Sequence, residues 1–81
     1  MEITVKFSSL IRMLTRLDHD LVDVDEGTTI DQLTGILDRK YKSLHFSREK
    51  TKYLVNNKFV EGDRVLAAGD EVSIFQTLKG N

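Results

Sequence analysis

Two segments near opposite ends of the chain alternate polar and apolar residues, and any fold must bury one side of both. Glu2-Ile3-Thr4-Val5-Lys6-Phe7 puts Ile3, Val5 and Phe7 on one face and Glu2, Thr4 and Lys6 on the other. In Glu71-Val72-Ser73-Ile74-Phe75, Val72 and Ile74 are in phase, which leaves Ser73 and Phe75 on the opposite face. Each reads as a half-buried strand. A chain of 81 residues holds one small domain. Ordering it costs about 1.5 kcal/mol per residue, so the core must be compact. Pairing the two most regular strands side by side in the middle of a sheet is the simplest way to bury both.

The segments between supply the rest of a sandwich. Ser8 or Ser9 can cap a short helix in which Leu10, Ile11, Met13, Leu14 and Leu17 recur at helical spacing, with Arg12 and Arg16 left to solvent. Asp18-His19-Asp20 reads as a polar loop and Leu21-Val22-Asp23-Val24 as a second strand, which Asp25-Glu26-Gly27 turns out of the sheet. Thr29-Ile30-Asp31-Gln32 matches a capping box, and Ile30, Leu33, Leu37 and Tyr41, with Ile36 and Leu44, form the apolar stripe of the main helix. Gly35 inside that helix suggests close packing against the sheet. Lys40 to Lys52 loses periodicity and reads as a loop. Tyr53-Leu54-Val55 and Lys58-Phe59-Val60 flank Asn56-Asn57, two residues that tolerate the positive φ of a tight hairpin turn. The order predicts an α+β protein, a mixed sheet packed on one main helix, in the β-grasp (ubiquitin-like) arrangement.

Composition removes several classes of function. Hydrophobic residues make up 40% and charged residues 31%, as in a globular soluble chain. The absence of cysteine excludes a disulfide, a thiolate nucleophile, a zinc knuckle and an iron–sulfur site. No run approaches the length of about 18 apolar residues that a membrane span needs. Met1 is followed by Glu2 and an alternating segment, not by a basic region and an apolar run. The expected compartment is the cytoplasm, with no membrane partner. His19 and His45 lack the convergent ligands of a metal site and any serine partner for a hydrolytic triad.

Charge is uneven. Asp18, Asp20, Asp23, Asp25, Glu26 and Asp31 meet no lysine or arginine over residues 18–31, whereas Arg39, Lys40, Lys42, Arg48, Lys50 and Lys52 oppose Glu49 over residues 39–52. Arg39, Lys40 and Lys42 suit the end of a helix, where cations complement the dipole. With a net charge of −1 for the whole chain, no nucleic-acid partner is expected. No glycine-rich phosphate loop is present, so any ATP chemistry belongs to another protein.

Leu54-Val55-Asn56-Asn57-Lys58-Phe59-Val60, then Leu66, then Gly69-Asp70-Glu71-Val72-Ser73-Ile74-Phe75, followed by a short glycine-containing tail, resembles the MoaD/ThiS family of ubiquitin-like sulfur carriers. The strand ending at Phe7 and the helix entry Thr28-Thr29-Ile30-Asp31-Gln32-Leu33 are similar to the same family, so the resemblance spans nearly the whole chain. It implies a single domain over 1–81 with a flexible tail at 76–81, which binds no cofactor and catalyses nothing alone. At most such a chain is the small subunit of a synthase complex. The partners it implies are a MoeB/ThiF-like adenylating enzyme, which uses ATP to activate the C-terminal carboxylate, and a MoaE-like large synthase subunit. The thiocarboxylate formed would donate sulfur in molybdopterin, or related tungsten or thiamin, biosynthesis.

By that resemblance Gly80 and Asn81 are the activated tail. A glycine there has no Cβ to obstruct a narrow tunnel into an active site. Asn81 departs from the family's second glycine and adds a side chain with competing hydrogen bonds. Three readings stay open: the partner tolerates Asn81, Asn81 is clipped to expose Gly80, or the fold is kept as a non-thiolated interaction module or ubiquitin-like modifier. Phe7, Phe59 and Phe75 match partner-contact positions, with Leu78 beside them. Phe7 is equally well explained as core, because it is in phase with Ile3 and Val5.

Overall fold

The computed structural model describes residues 1–41 and 50–76, apart from the side chains of Ser9 and Leu10. The elements are β1 (Glu2–Phe7), α1 (Ser9–Thr15), β2 (His19–Asp23), α2 (Ile30–Lys40), β3 (Thr51–Val55), β4 (Lys58–Val60) and β5 (Glu71–Gln76). They build one five-stranded sheet in the order β2-β1-β5-β3-β4. β1 and β5 run parallel at its centre, and the other neighbouring pairs are antiparallel. This is the β-grasp arrangement read from the alternation at the two ends of the chain.

Register explains the core. Pairing Val5 with Val72 and Phe7 with Ile74 turns all four inward, where they join Ile30, Leu33 and Leu37 of α2 in one cluster. Burying each large aliphatic side chain contributes about 1.5–3 kcal/mol. α2 begins with a complete capping box: Gln32 N donates to Thr29 Oγ1 at 3.2 Å, and Thr29 N donates to Gln32 Oε1 at 2.9 Å. Asp31 in its first turn and Arg39 and Lys40 in its last complement the helix dipole.

The hairpin between β3 and β4 turns on Asn56 (φ 50°) and Asn57 (φ 71°). Asn56 also reaches beyond the turn. Its Nδ2 donates to Asp70 Oδ1 at 3.0 Å, and its Oδ1 accepts from Glu71 N at 3.0 Å. Asp70, itself buried, accepts from Ala67 N through Oδ2 at 2.8 Å, and its carbonyl accepts from Thr4 N at 3.1 Å. Gly69, at φ 82°, makes the preceding turn. The Gly69-Asp70-Glu71 run therefore buckles the hairpin turn to the entry of β5 and sets β5 beside β1.

Several expectations need correction. Among the described side chains of α1, Ile11 enters the core while Met13 and Leu14 are exposed, as is Leu17 just past the C-cap, because a helix of seven residues at the end of the sheet meets the core along one side. Ser8 occupies the N-cap position but makes no side-chain cap bond. His19 and Asp20 lie in β2 rather than a loop, drawn into the ladder opposite Lys6 and Val5. β3 starts at Thr51, before Tyr53, and β5 continues through Gln76, the first residue expected in the tail. Gly35 does not mark close packing: a Cβ there would meet only the Arg39 guanidinium, at 3.8 Å. Gly62 is the close approach, since a Cβ on it would collide with the Asp31 carboxylate. Leu44 and His45, the part of the expected loop that falls in 42–49, and Leu78, Gly80 and Asn81 lie outside the described residues.

Asp70→Ala removes an acceptor from two groups in the buckle, and we expect it to destabilise the fold by about 1–3 kcal/mol. Chemical denaturation of the variant measures this, and an unchanged midpoint would show that the buckle does not hold β5.

Candidate docking face and tail exit

The strands alternate, and α2 packs with their inward residues, so among the described residues no helix covers the other face of the sheet. Register places His19, Lys6, Ser73, Leu54 and Phe59 in one row across the five strands on this face. Phe59, on the short edge strand β4, is 75% exposed. Leu54 beside it is half-buried. Phe75 shares the face two positions along β5 from Ser73, is half-buried, and pairs with Lys52 of β3. Strand spacing and rise put Phe59 and Phe75 roughly 12 Å apart. Leu54 lies between them, so the three form an apolar diagonal. Leu54 is not among the expected contact residues, and the signal that could have found it is the two-residue turn at Asn56-Asn57, which sets Leu54 opposite Phe59. The Lys6–Glu71 ion pair at 3.3 Å borders the diagonal. It is exposed and contributes little to stability.

Phe7 is elsewhere. It is 4% exposed and belongs to the core, so it offers a partner no surface in the isolated chain. Its ring packs edge-to-face on Tyr41, with centroids 5.7 Å apart and an interplanar angle of 83°. Tyr41 caps the end of α2 and donates its hydroxyl to Asp20 Oδ2 at 2.6 Å, and Lys40 Nζ donates to the same oxygen at 2.6 Å. Burial pushes the Tyr41 hydroxyl up, and the adjacent Asp20 carboxylate adds to it, to about 12. For Asp20, burial favours the neutral acid. The hydrogen bonds from Lys40 and Tyr41, the Lys40 charge and the Leu21 backbone outweigh it and hold the carboxyl below its ordinary value. Lys40, part of the basic run, is thus occupied within the fold.

Chemistry on these residues is limited. Among the described residues no three His, Asp or Glu side chains are placed to hold a metal ion. No helix among them is long and apolar enough to cross a membrane. What the arrangement can do is dock: an apolar diagonal on an open sheet face, beside the strand from which the segment 77–81 departs.

The fold and this open face define a ubiquitin-like β-grasp domain. The model of the ThiS family matches residues 5–80, and the chain belongs to that family. Among solved structures it is similar to a Pyrococcus furiosus protein assigned as molybdopterin converting factor subunit 1, with 21% identity, coverage of 95% of this chain and 98% of that one, and a TM-score of 0.83. Small archaeal modifier protein 1 from Haloferax volcanii matches with 19% identity, the same coverage of 95% and 98%, and a TM-score of 0.83. A chain in the complex of subunits 1 and 2 of the molybdopterin-converting factor from Helicobacter pylori matches with 17% identity, coverage of 100% of both chains, and a TM-score of 0.69. No curated protein matches the sequence.

The Tyr41 network carries a pH signature. Tyr41→Phe should cost about 1 kcal/mol near neutral pH. Because the Tyr41 pKa is raised on folding, its contribution is present below about 10, the ordinary value, and is lost as pH rises through about 12. The Asp20 pKa is lowered, so its contribution is lost as pH falls through the carboxylate range. Melting curves of wild type and Tyr41→Phe should converge at both extremes, and a gap independent of pH would contradict the bond.

Proposed function

We propose that this chain is a sulfur carrier whose C-terminal carboxylate, at Asn81 or at Gly80 after clipping, is activated by a MoeB/ThiF-like adenylating enzyme and thiolated. A MoaE-like synthase subunit would then receive the sulfur in molybdopterin or related cofactor biosynthesis. The reading rests on one observation: a chain of the ThiS family presents an open apolar diagonal, Leu54, Phe59 and Phe75, beside the strand that leads to Gly80-Asn81. The matching chain from Helicobacter pylori, solved with its subunit 2, supports a protein partner of that kind.

The chemistry divides between the proteins. A carboxylate is a poor acyl donor because oxide is a poor leaving group. Attack of the tail carboxylate on the α-phosphorus of ATP gives an acyl adenylate and releases pyrophosphate. A sulfide equivalent supplied by a sulfur donor then displaces AMP at the acyl carbon, leaving a thiocarboxylate. This chain contributes the carboxylate and the docking face, and the partner holds ATP and the groups that stabilise the transition state.

A second reading has its own support in the similarity to small archaeal modifier protein 1. In it the same adenylate is taken by a lysine amine of another protein, forming an amide with loss of AMP. The two readings differ only in the nucleophile.

Intact mass after incubation with ATP, an adenylating enzyme and a sulfide donor separates them, on wild type, Asn81→Gly and a chain ending at Gly80. An oxygen-to-sulfur exchange on the wild type is expected. Reaction of Asn81→Gly alone would mean that the end has lost its reactivity, and reaction of only the chain ending at Gly80 would require clipping. No exchange on any of the three overturns the carrier reading, and conjugates to lysine favour the modifier. Phe59→Ala and Phe75→Ala should each weaken partner binding by more than about 1 kcal/mol in titration calorimetry. Phe59→Ala, on an exposed edge position, should leave the melting temperature nearly unchanged.

A further inference from the structure

We infer that the exposed ridge of α1 is a second docking surface for the enzyme that activates the tail, flanking the point where the tail leaves the domain. The inference rests on the proposed carrier or modifier reading. Met13 is 72% exposed and Leu14 50%, although Ile11 on the same short helix is fully buried, and Leu17, just past the Arg16 cap, is 41% exposed. Nothing in the core calls for three large apolar side chains in water at this place, and such clusters mark interaction sites.

Position selects the occupant. α1 packs against β5, and Ile11 and Ile74 share one core cluster, so α1 meets β5 on its inward side while Phe75 faces the opposite way. The ridge and the open-face diagonal therefore lie on two sides of the same strand end. In the proposed reading the activated carboxylate is that of Asn81 or Gly80, which places it four or five residues beyond Gln76. At full stretch they span no more than about 18 Å. An enzyme that draws so short a tail into its active site must bring its own surface against the end of the domain, and α1 stands there.

The rim adds the partner's chemistry. Arg12 is half committed to Asp18 at 3.5 Å, while Arg16 is exposed and makes no ion pair among the described residues. Arg16 holds the left-handed C-cap at φ 62°, so the backbone ends the helix beside the ridge with its cation turned to solvent. The fitting surface is an apolar patch with acidic groups at its edge. Met13 suits such a contact, since its flexible, polarisable side chain adapts to the opposing shape.

The test measures ATP-dependent pyrophosphate release by the carboxylate-adenylating enzyme used above, with the full chain as the varied substrate. Met13→Glu and Leu17→Glu should each raise KM on the order of tenfold with kcat unchanged. Arg16→Glu should raise KM in a way that weakens with added salt. Unaltered melting temperatures would show that the variants are folded. If the wild type turns over and both glutamate variants match its KM, the ridge is not a docking surface and the carrier reading stands. A wild type that releases no pyrophosphate overturns both. Sedimentation equilibrium covers the remaining occupant: a dimer of the wild type that Met13→Glu disperses, with KM unmoved, would assign the ridge to a second copy of this chain and overturn the proposal.

Discussion

The structure depends on the parallel pairing of β1 with β5, two strands drawn from opposite ends of the chain and set side by side at the centre of the sheet. Little else is positioned until that pair forms. β2 adds to one side as the return of β1, and the β3–β4 hairpin adds to the other by pairing with β5. Parallel neighbours have no short turn to align them, so register must come from side chains and from the entry loop. Here it comes from inward pairs such as Val5 with Val72, and from Asn56, whose side chain ties the hairpin turn to Asp70 and to the first residue of β5. Contacts so distant in sequence have a large loop-closure cost, so an early Asn56–Asp70 link, only 14 residues apart, shortens the loop that remains.

Local chemistry made some elements legible and tertiary geometry hid the others. Asn56-Asn57 could be read because positive φ is a property of two residues, and the capping box because it is a contact within one turn. The alternation of β1 and β5 survived because both strands are central and keep one wet face. Spacing also placed the α1 helix, but spacing cannot say how much of a short helix a neighbour covers, and among its described side chains the core takes Ile11. Polar His19 and Asp20 looked like loop, yet an edge strand needs pairing on one side only, and Asp20 finds Lys40 and Tyr41 across the inward face. Of the residues expected to dock, Phe75 is placed outward by phase, and Phe59 is reached by resemblance. Phe7 went inward with the phase of its strand, whatever its resemblance to a contact position.

A period of two lets this small domain keep stability and recognition apart. Ile74 and Phe75 are neighbours in sequence and face opposite sides, as do Tyr53 and Leu54. Replacing an outward residue removes contact area without opening a cavity, whereas the same change one position away strikes the core. The Gly69-Asp70-Glu71 run shows how that separation shapes resemblance. It is the most specific part of the family likeness, yet its role in this structure is to hold β5 in place. It identifies the scaffold and does not itself take part in chemistry.

The tail then follows from the scaffold. In the proposed carrier reading, a reacting carboxylate on a short leash would gain no reach by flexibility, so selectivity would come from the surfaces that arrive with it. Two apolar surfaces on opposite sides of one strand end constrain the approach of a partner in a way a single face cannot, because a partner seated on the sheet alone is free to pivot about the strand. Adding the proposed α1 contact would remove that freedom before the carboxylate enters, so the entropy of aligning it would be met by binding rather than by the chemical step. On this argument the acceptor of the activated tail need not use both surfaces. An enzyme that must first direct a weak nucleophile at a phosphorus atom gains from both, and an acceptor that meets an already activated acyl group gains less.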